Sequence, residues 1–321
     1  MSGGLAAALA AVLAGSMAIL GQGSERRFNP PAPAQAKNTL HLHANLIYVP
    51  VIVTDDRGHP IAKLRRQDFL LSEDGQPQTI RMFEQHASQQ LSVVFAVDTS
   101  VSVRRTLAQE KRAVHEFAHA LLPGQSRLAL TGFSGQVREL TPFTSDAARI
   151  DHALAALRAD GPTALYAAIV QAAQMLASQP GRRTIVLLSD GANSMPGVDY
   201  SRARLAALRA QASIESVILL PIAANAGRNL GGEHALIQLS RDTGGQFFYV
   251  RDADELRASL ARIAESLPGE YLLGYYAPPA PASSGNGAGS YRHIQVRIIH
   301  SSADSSMHLY FRRGYFLEPE H

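Results

Sequence analysis

Cysteine is absent from this chain of 321 residues. That excludes disulfides, thiolate metal sites and cysteine nucleophiles together. It leaves the compartment open, because an exported protein of this length can bury enough core to do without disulfides. No block of Lys or Arg stands out, and 30 Lys+Arg against 27 Asp+Glu leave a net charge of only +3. The electrostatic footprint of a nucleic-acid binder is therefore missing. No Gly-rich phosphate loop follows the first apolar strand of the α/β pattern, and no Walker loop occurs, so nucleotide binding lacks its motif. No Ser lies in a G-x-S-x-G setting, which removes the usual hydrolase nucleophile. What is present is 46% hydrophobic and 18% charged, the composition of a folded globular protein.

Charge is also missing from the beginning of the chain. Residues 5–20, LAAALAAVLAGSMAIL, form an uncharged apolar run of 16, and the first charged side chain is Glu25. The run is short for a membrane-spanning helix and suits the apolar region of an export signal, with Gly21 and Gly23 permitting cleavage nearby. No Lys or Arg precedes it, so an Ala-rich N-terminal anchor is the alternative. Residues 1–24 are expected to be a signal or anchor, and 25–39, which include Asn29–Ala36 (NPPAPAQA), a Pro/Ala linker. Both readings place the remainder outside the cytoplasm, in the periplasm, cell envelope or extracellular space. Membrane contact would then be limited to the N-terminal segment, if it is retained.

Three regions follow. Residues 40–88 read as strand and turn. Asn45–Thr54 is a β-rich run closed by the turn Asp55-Asp56-Arg57-Gly58, and Phe69–Glu73 and Thr79–Phe83 flank Asp74-Gly75 as a hairpin. Residues 91–268 alternate apolar strands with amphipathic helices. Strands are expected at Leu91–Val97, Arg127–Phe133, Thr184–Leu188, Ser216–Ile222 and Gln246–Val250. Helices are expected near Arg104–Leu122, Ala147–Arg158, Ala164–Ala177, Tyr200–Gln211, Gly232–Arg241 and Ala253–Ser266. Several of these strands are apolar at nearly every position, as in a parallel sheet covered on both faces. The fold class is therefore α/β, with a doubly wound, mostly parallel sheet. In residues 269–317 strands return at Tyr271–Tyr276, His293–Ile299 and Met307–Arg312, with Ala277–Ser290 as a flexible hairpin loop. Each β region has fewer than about 50 residues and would be marginal alone. Together they are expected to form one β-sandwich into which the α/β domain is inserted.

Two of the apolar strands run into an acid: LSVVFAV into Asp98, and TIVLL into Ser189 and Asp190. In an open parallel sheet the ligand crevice lies off the carboxyl ends of the strands. Two carboxylates at that edge can share one cation. Asp98-Thr99-Ser100-Val101-Ser102 places oxygen side chains at alternate positions of one loop, and Thr163, in Gly161-Pro162-Thr163-Ala164-Leu165, opens a helix on another. Mg²⁺ demands octahedral oxygen ligation at short distance. Ser100, Ser102 and Thr163 would supply neutral oxygens, and Asp98 and Asp190 charge, directly or through water. Such a shell leaves the metal electrophilic and open to one further carboxylate. Taken singly, the serines and the threonine read equally well as helix caps, and Asp190-Gly191 as a turn.

DTSVS at 98–102, the Thr of GPTALY at 163 and the Asp of LLSDG at 190 resemble the metal-ion-dependent adhesion site of von Willebrand factor type A domains. Thr243-Gly244-Gly245-Gln246-Phe247-Phe248 looks like the entry to the last strand of that fold. The resemblance covers roughly Leu91–Leu267. It implies a non-enzymatic module that binds Mg²⁺ (or Mn²⁺ or Ca²⁺) and captures a protein ligand presenting Asp or Glu. Val101 stands where many relatives carry Gly, which restricts the loop backbone. The flanks VTDDRGHPIAKLRRQDFLLSEDG and YLLGYYAPP…YRHIQVRI…FRRGYF more loosely resemble a bacterial group of secreted proteins with such a domain between β segments.

Other chemistry competes. His115-Glu116-Phe117-Ala118-His119 matches HExxH, the zinc metallopeptidase motif. On a helical wheel His115 and His119 lie about 100° and 140° from Val114, flanking the apolar stripe of the helix. Leu122 and Gln125 occupy the Gly and His places of the extended motif, and Glu139, a distant candidate third ligand, falls in a strand-like stretch. A solvent-facing His pair is the simpler reading. Asp98-Thr99-Ser100 and Asp242-Thr243-Gly244 fail as an aspartic-protease pair, because Asp242 ends a polar helix and the α/β pattern contradicts an all-β protease. His41 and His43 suit an alternating strand as well as a metal. The alternatives to metal-dependent capture are thus a zinc peptidase at His115, Glu116 and His119, and a structural envelope module without functional metal.

Overall fold

The computed structural model describes residues 46–85, 90–220, 228–278, 291–299 and 307–316. The signal or anchor at 1–24, the linker at 25–39, and His41 and His43 lie outside the described residues, as does most of the loop at 277–290.

The strands are β1 (Leu46–Thr54), β2 (Phe69–Glu73), β3 (Gln76–Gln78), β4 (Met82–Gln85), β5 (Leu91–Asp98), β6 (Ser126–Phe133), β7 (Val137–Thr144), β8 (Arg182–Ser189), β9 (Ala212–Leu219), β10 (Phe247–Val250), β11 (Tyr271–Tyr276), β12 (Tyr291–Ile298), β13 (His308–Phe311) and β14 (Gly314–Phe316). The helices are α1 (Leu107–Leu121), α2 (Ala147–Ala156), α3 (Leu165–Ala177), α4 (Tyr200–Arg209), α5 (Leu230–Thr243) and α6 (Ala253–Ser266).

The central sheet has the order β10-β9-β8-β5-β6-β7. All its pairings are parallel except that of the edge strand β7. Alternation along β5 feeds both faces. Leu91, Val93, Phe95 and Val97 join the side covered by α1, α2 and α6, while Val94 and Ala96 join the side covered by α3, α4 and α5. Every residue of β5 is buried, which is why its sequence carries no polar alternation. The chain leaves β5 toward β6 on one side and returns to β8 on the other. The switch point of the sheet therefore falls between β5 and β8, the position at which open parallel sheets bind ligands off the carboxyl ends of their strands.

The flanking segments build two four-stranded antiparallel sheets, β13-β1-β11-β4 and β14-β12-β2-β3. The first alternates strands from before and after the α/β region. Their inward side chains, including Val49, Val51, Phe69, Leu71, Leu273 and Val296, form one apolar cluster. Inside it Tyr315 donates to Glu73 Oε2 at 2.8 Å, and Tyr275 donates to the same oxygen.

The hairpin at Asp74-Gly75 differs from expectation. Its second strand is Gln76–Gln78, with Glu73 opposite Gln76, whereas Met82–Gln85 crosses to the other sheet beside β11. The run Thr79–Phe83 therefore spans the crossing between sheets. Ile80, apolar within it, is buried in the cluster between them.

Among the described residues no helix is long and apolar enough to cross a membrane.

Candidate metal centre

Asp98 is the last residue of β5, and Asp190 directly follows β8. The register sets Val97 opposite Leu188, so the two acids emerge side by side at the switch point. Asp98 is fully buried. Its Oδ1 accepts from the Ser100 backbone N–H at 2.8 Å, and its Oδ2 from the Ser189 hydroxyl at 2.9 Å. Ser100 Oγ and Ser102 Oγ are 2.8 Å apart. Neither serine caps a helix through its side chain: Ser100 precedes a single 3-10 turn without a side-chain cap, and α1 begins only after Thr106. The hydroxyls are therefore turned to each other rather than spent on backbone. Asp190 Oδ1 accepts from the Ala192 N–H at 2.9 Å, forming the turn that its sequence allowed.

Thr163 sits on a second loop, is buried, and caps no helix, since Ala164 holds the position before α3. Its N–H donates to Ser194 Oγ and its carbonyl accepts from the Ser194 N–H, both at 2.9 Å. Val101 N–H donates to the Gly161 carbonyl at 3.1 Å, and Asp160 N–H to the Thr99 carbonyl at 2.8 Å. Main-chain bonds thus lace the loops at 98–102, 160–163 and 190–195 together. The structure brings Asp98, Ser100, Ser102 and Asp190 to one edge and holds Thr163 on the loop bonded to both sides of it. Ser102 and Val101 are exposed, Val101 by 50%, so the edge opens to solvent.

The electrostatics favour a cation. Burial pushes the Asp98 carboxyl up to about 6, with the neighbouring charge of Asp190 adding to it against the hydrogen bonds from Ser100 and Ser189. A third acid, Glu110 of α1, lies beneath. It is fully buried, accepts from Thr106 Oγ1 at 2.6 Å, and is pushed up to about 8 by burial and by the charges of Asp98 and Asp190. Among the described residues no ion pair involves Asp98, Glu110 or Asp190. The carboxylates of Asp98 and Asp190 and a pair of hydroxyls, with no ion-paired basic side chain among the described residues and with Glu110 raised to about 8, fit a hard divalent cation, which oxygen donors suit. Asp98, Ser100, Ser102, Thr163 and Asp190 are the residues that would hold it.

Sequence reading missed Ser189 and Glu110. Ser189 was legible only as the residue before an acid. Glu110 left a signal: it falls on the stripe of Leu107, Val114, Phe117 and Leu121, the positions α1 buries, and an acid there has no apolar reason to be present.

The HExxH histidines are half-exposed, as the wheel implied, and both contact Asp151 of α2. Glu139 lies in β7 and outside that group. Asp242, the other protease candidate, pairs with Arg204.

No curated protein sequence matches the chain. Solved structures similar to it include a conserved hypothetical protein, BatB, from Bacteroides thetaiotaomicron, at 20% identity over 55% of this chain and 98% of that one, with a TM-score of 0.45. The vWF domain of the type V pili tip protein Mfa5 from Porphyromonas gingivalis is similar at 14% identity over 56% and 95%, with a TM-score of 0.46. A von Willebrand factor type A structure from Catenulispora acidiphila is similar at 13% identity over 85% and 75%, with a TM-score of 0.49. Residues 93–193, which carry Asp98, Thr163 and Asp190 at the sheet edge, match the family model of the von Willebrand factor type A domain.

Proposed function

We propose that the chain is an exported, non-enzymatic binding protein. A divalent cation, Mg²⁺ or in its place Mn²⁺ or Ca²⁺, is held by Asp98, Ser100, Ser102, Thr163 and Asp190 and captures an Asp or Glu of a protein partner. The observation that carries this is the edge between β5 and β8. A buried carboxylate stands beside two facing hydroxyls and a second acid, with no base ion-paired to either acid among the described residues, and the loop at Val101 and Ser102 is open to solvent. Alcohol oxygens neutralise none of the ion's charge, so an incoming carboxylate gains more there than at a site already crowded with acids. The match of residues 93–193 to a domain model associated with protein binding supports the same reading, as does the apolar N-terminal run for export.

The test uses the full chain. Mn²⁺ binding followed by electron paramagnetic resonance should saturate at one strong site and weaken at least tenfold in Asp98→Ala. A pull-down from envelope extract should retain a partner in Mg²⁺ but not in EDTA, and not with Asp98→Ala. A variant that binds Mn²⁺ as tightly as the parent, with its fold intact by circular dichroism, removes the proposal.

A further inference from the structure

A second group of metal-binding side chains lies away from the sheet edge, with different chemistry. His115 and His119 are one turn apart on α1, with ring centroids separated by 4.2 Å. Asp151 reaches them from α2. His115 Nδ1 is 2.6 Å from Asp151 Oδ1, and His119 Nε2 is 3.0 Å from Asp151 Oδ2. The two imidazoles therefore share one carboxylate, one on each oxygen. The three ligand atoms lie within 4.8 Å of one another.

The scaffold beneath is rigid. Phe117 and Ala118 of α1 and Ile150 and Leu154 of α2 are buried in the same apolar cluster. Lys111, one turn before His115, donates to the Leu157 carbonyl at the end of α2 at 2.8 Å. Neither helix needs to move for the side chains to converge. Partial burial pushes the Asp151 carboxyl up, and the hydrogen bonds and charge of the two histidines outweigh it, leaving it below its ordinary range. It is thus ionised and ready as a ligand at neutral pH.

We infer that His115, His119 and Asp151 form a surface site for a zinc-class ion, Zn²⁺ or the neighbouring Ni²⁺ and Cu²⁺, joining α1 to α2. Two imidazoles and one carboxylate suit these ions and not Mg²⁺, which takes oxygen alone. Tetrahedral zinc with bonds of about 2.0–2.1 Å keeps its ligand atoms about 3.3 Å apart. The contact of 2.6 Å opens by about 0.7 Å and that of 3.0 Å by about 0.3 Å as the ion replaces the shared protons. A small turn of the Asp151 side chain supplies that. The side chains are 50%, 47% and 36% exposed, so a fourth position is left to water or to a partner's side chain. Hydrolysis is no part of the inference. Glu116, the acid of the HExxH pattern, is set about 100° around the helix from His115 and is exposed, and the acid that does converge is an aspartate from another helix.

The experiment titrates chelator-stripped full chain with Zn²⁺ by calorimetry in excess Mg²⁺, so that the sheet edge is already supplied. One equivalent should bind in the parent and in Asp98→Ala. Affinity should fall at least about tenfold in His115→Ala, in His119→Ala and in Asp151→Asn. Because these side chains are half-exposed, the variants should fold. As a second readout, Zn²⁺ should raise the Tm of the parent and leave that of the two histidine variants where it is. Zinc binding that survives loss of either histidine places the ion elsewhere, His41 and His43 included, and overturns the inference. So does binding lost in Asp98→Ala, or no saturable binding in the parent. Failure of Mn²⁺ binding at Asp98 leaves this result untouched, so the two sites stand or fall separately.

Discussion

Buried acids in this chain divide by what stands next to them. Glu215 of β9 is fully buried, accepts from the Gln246 N–H at 2.7 Å, and lies near both Glu270 and Arg182. Arg182 already pairs with Glu270 at 2.6 Å. One guanidinium cannot neutralise two carboxylates, so Glu215 keeps its proton. Burial, then the charge of Glu270, push it up to about 8 against the pull of Gln246 and Arg182. A folded-state pKa above that of the unfolded chain means that the native state holds a proton the unfolded state has released. The stabilisation is full below about 4.5 and is lost as pH rises towards 8. Glu215→Gln keeps an acceptor for Gln246 and cannot ionise. The variant should gain on the order of 4 kcal/mol over the parent at pH 8 and about 1 kcal/mol at pH 5. Urea unfolding at the two pH values measures this, and parallel pH slopes would refute it. At the same scale, Asp98, Ser100 and Ser102, three of the five residues proposed for the metal, were legible because alternation of oxygens in a short loop is a local pattern, while Asp190 and Thr163 were legible from the end of an apolar strand and the opening of a helix. Glu215 was not: it lies just before the expected strand Ser216–Ile222, between Ser213 and Ser216 of β9, and its meaning depends on Arg182 and Glu270, remote in sequence.

Among the elements, β5 and β8, whose runs LSVVFAV and TIVLL are apolar nearly throughout, were the clearest in the sequence, whereas β9, interrupted by Ser213, Glu215 and Ser216, starts four residues before the expected Ser216–Ile222. β5 and β8 extend the expected runs by only a residue or two at their ends. α6 begins and ends as its periodicity predicts, and its start is fixed by Asp252, which accepts from the backbone N–H groups of Asp254 and Glu255. Gln76–Gln78 escaped because a strand of Gln-Pro-Gln has no hydrophobic period and its proline argues against a strand. β7 reads only as a strand-like stretch around Glu139, without bounds, because its exposed positions alternate poorly; its ladder with β6 shifts register twice. Element ends also fix how the layers meet. α5 stops at Gly244, which is left-handed at φ +89°, and a Cβ there would stand 2.3 Å from the Arg312 backbone nitrogen. Gly75, at the hairpin, has φ +79° with nothing within 4 Å of a Cβ. Gly75→Ala should therefore cost only the left-handed backbone, about 1–2 kcal/mol. Gly244→Ala should cost clearly more, because β13 must also retreat from the helix end. Equal losses in thermal unfolding would mean that the contact between α5 and β13 yields without cost.

For the whole molecule, the α/β region and the antiparallel sheets are joined by buried charge. Arg182 opens β8 of the central sheet, and Glu270 directly precedes β11 of the flanking one; their side chains are 5% and 6% exposed. Arg182 also donates to the Leu267 carbonyl, where the chain passes from α6 towards β11. Arg204 of α4 pairs with Asp242 and stacks over the Tyr291 ring of β12 at 5.2 Å. A buried pair adds little against an apolar replacement of both partners, but losing one partner strands the other charge. Arg182→Met would strand two: Glu270 loses its counterion, and Glu215 loses the positive charge that lowers its pKa. Both carboxyls would then fold protonated and both would be ionised in the unfolded chain above about pH 5. The substitution should cost about 3–5 kcal/mol at pH 8 and distinctly less at pH 5, with a pH slope steeper than the parent's by up to one further proton. Adding Glu215→Gln and Glu270→Gln to Arg182→Met should remove most of that slope, since no buried group is left to ionise. If the layers are as interdependent as this pair implies, the parent and Arg182→Met should each melt in one transition, read alike by far-ultraviolet circular dichroism and by tyrosine fluorescence. A separate early transition in the variant would show that the central sheet folds without its flanks, and the pair would then be a local contact only.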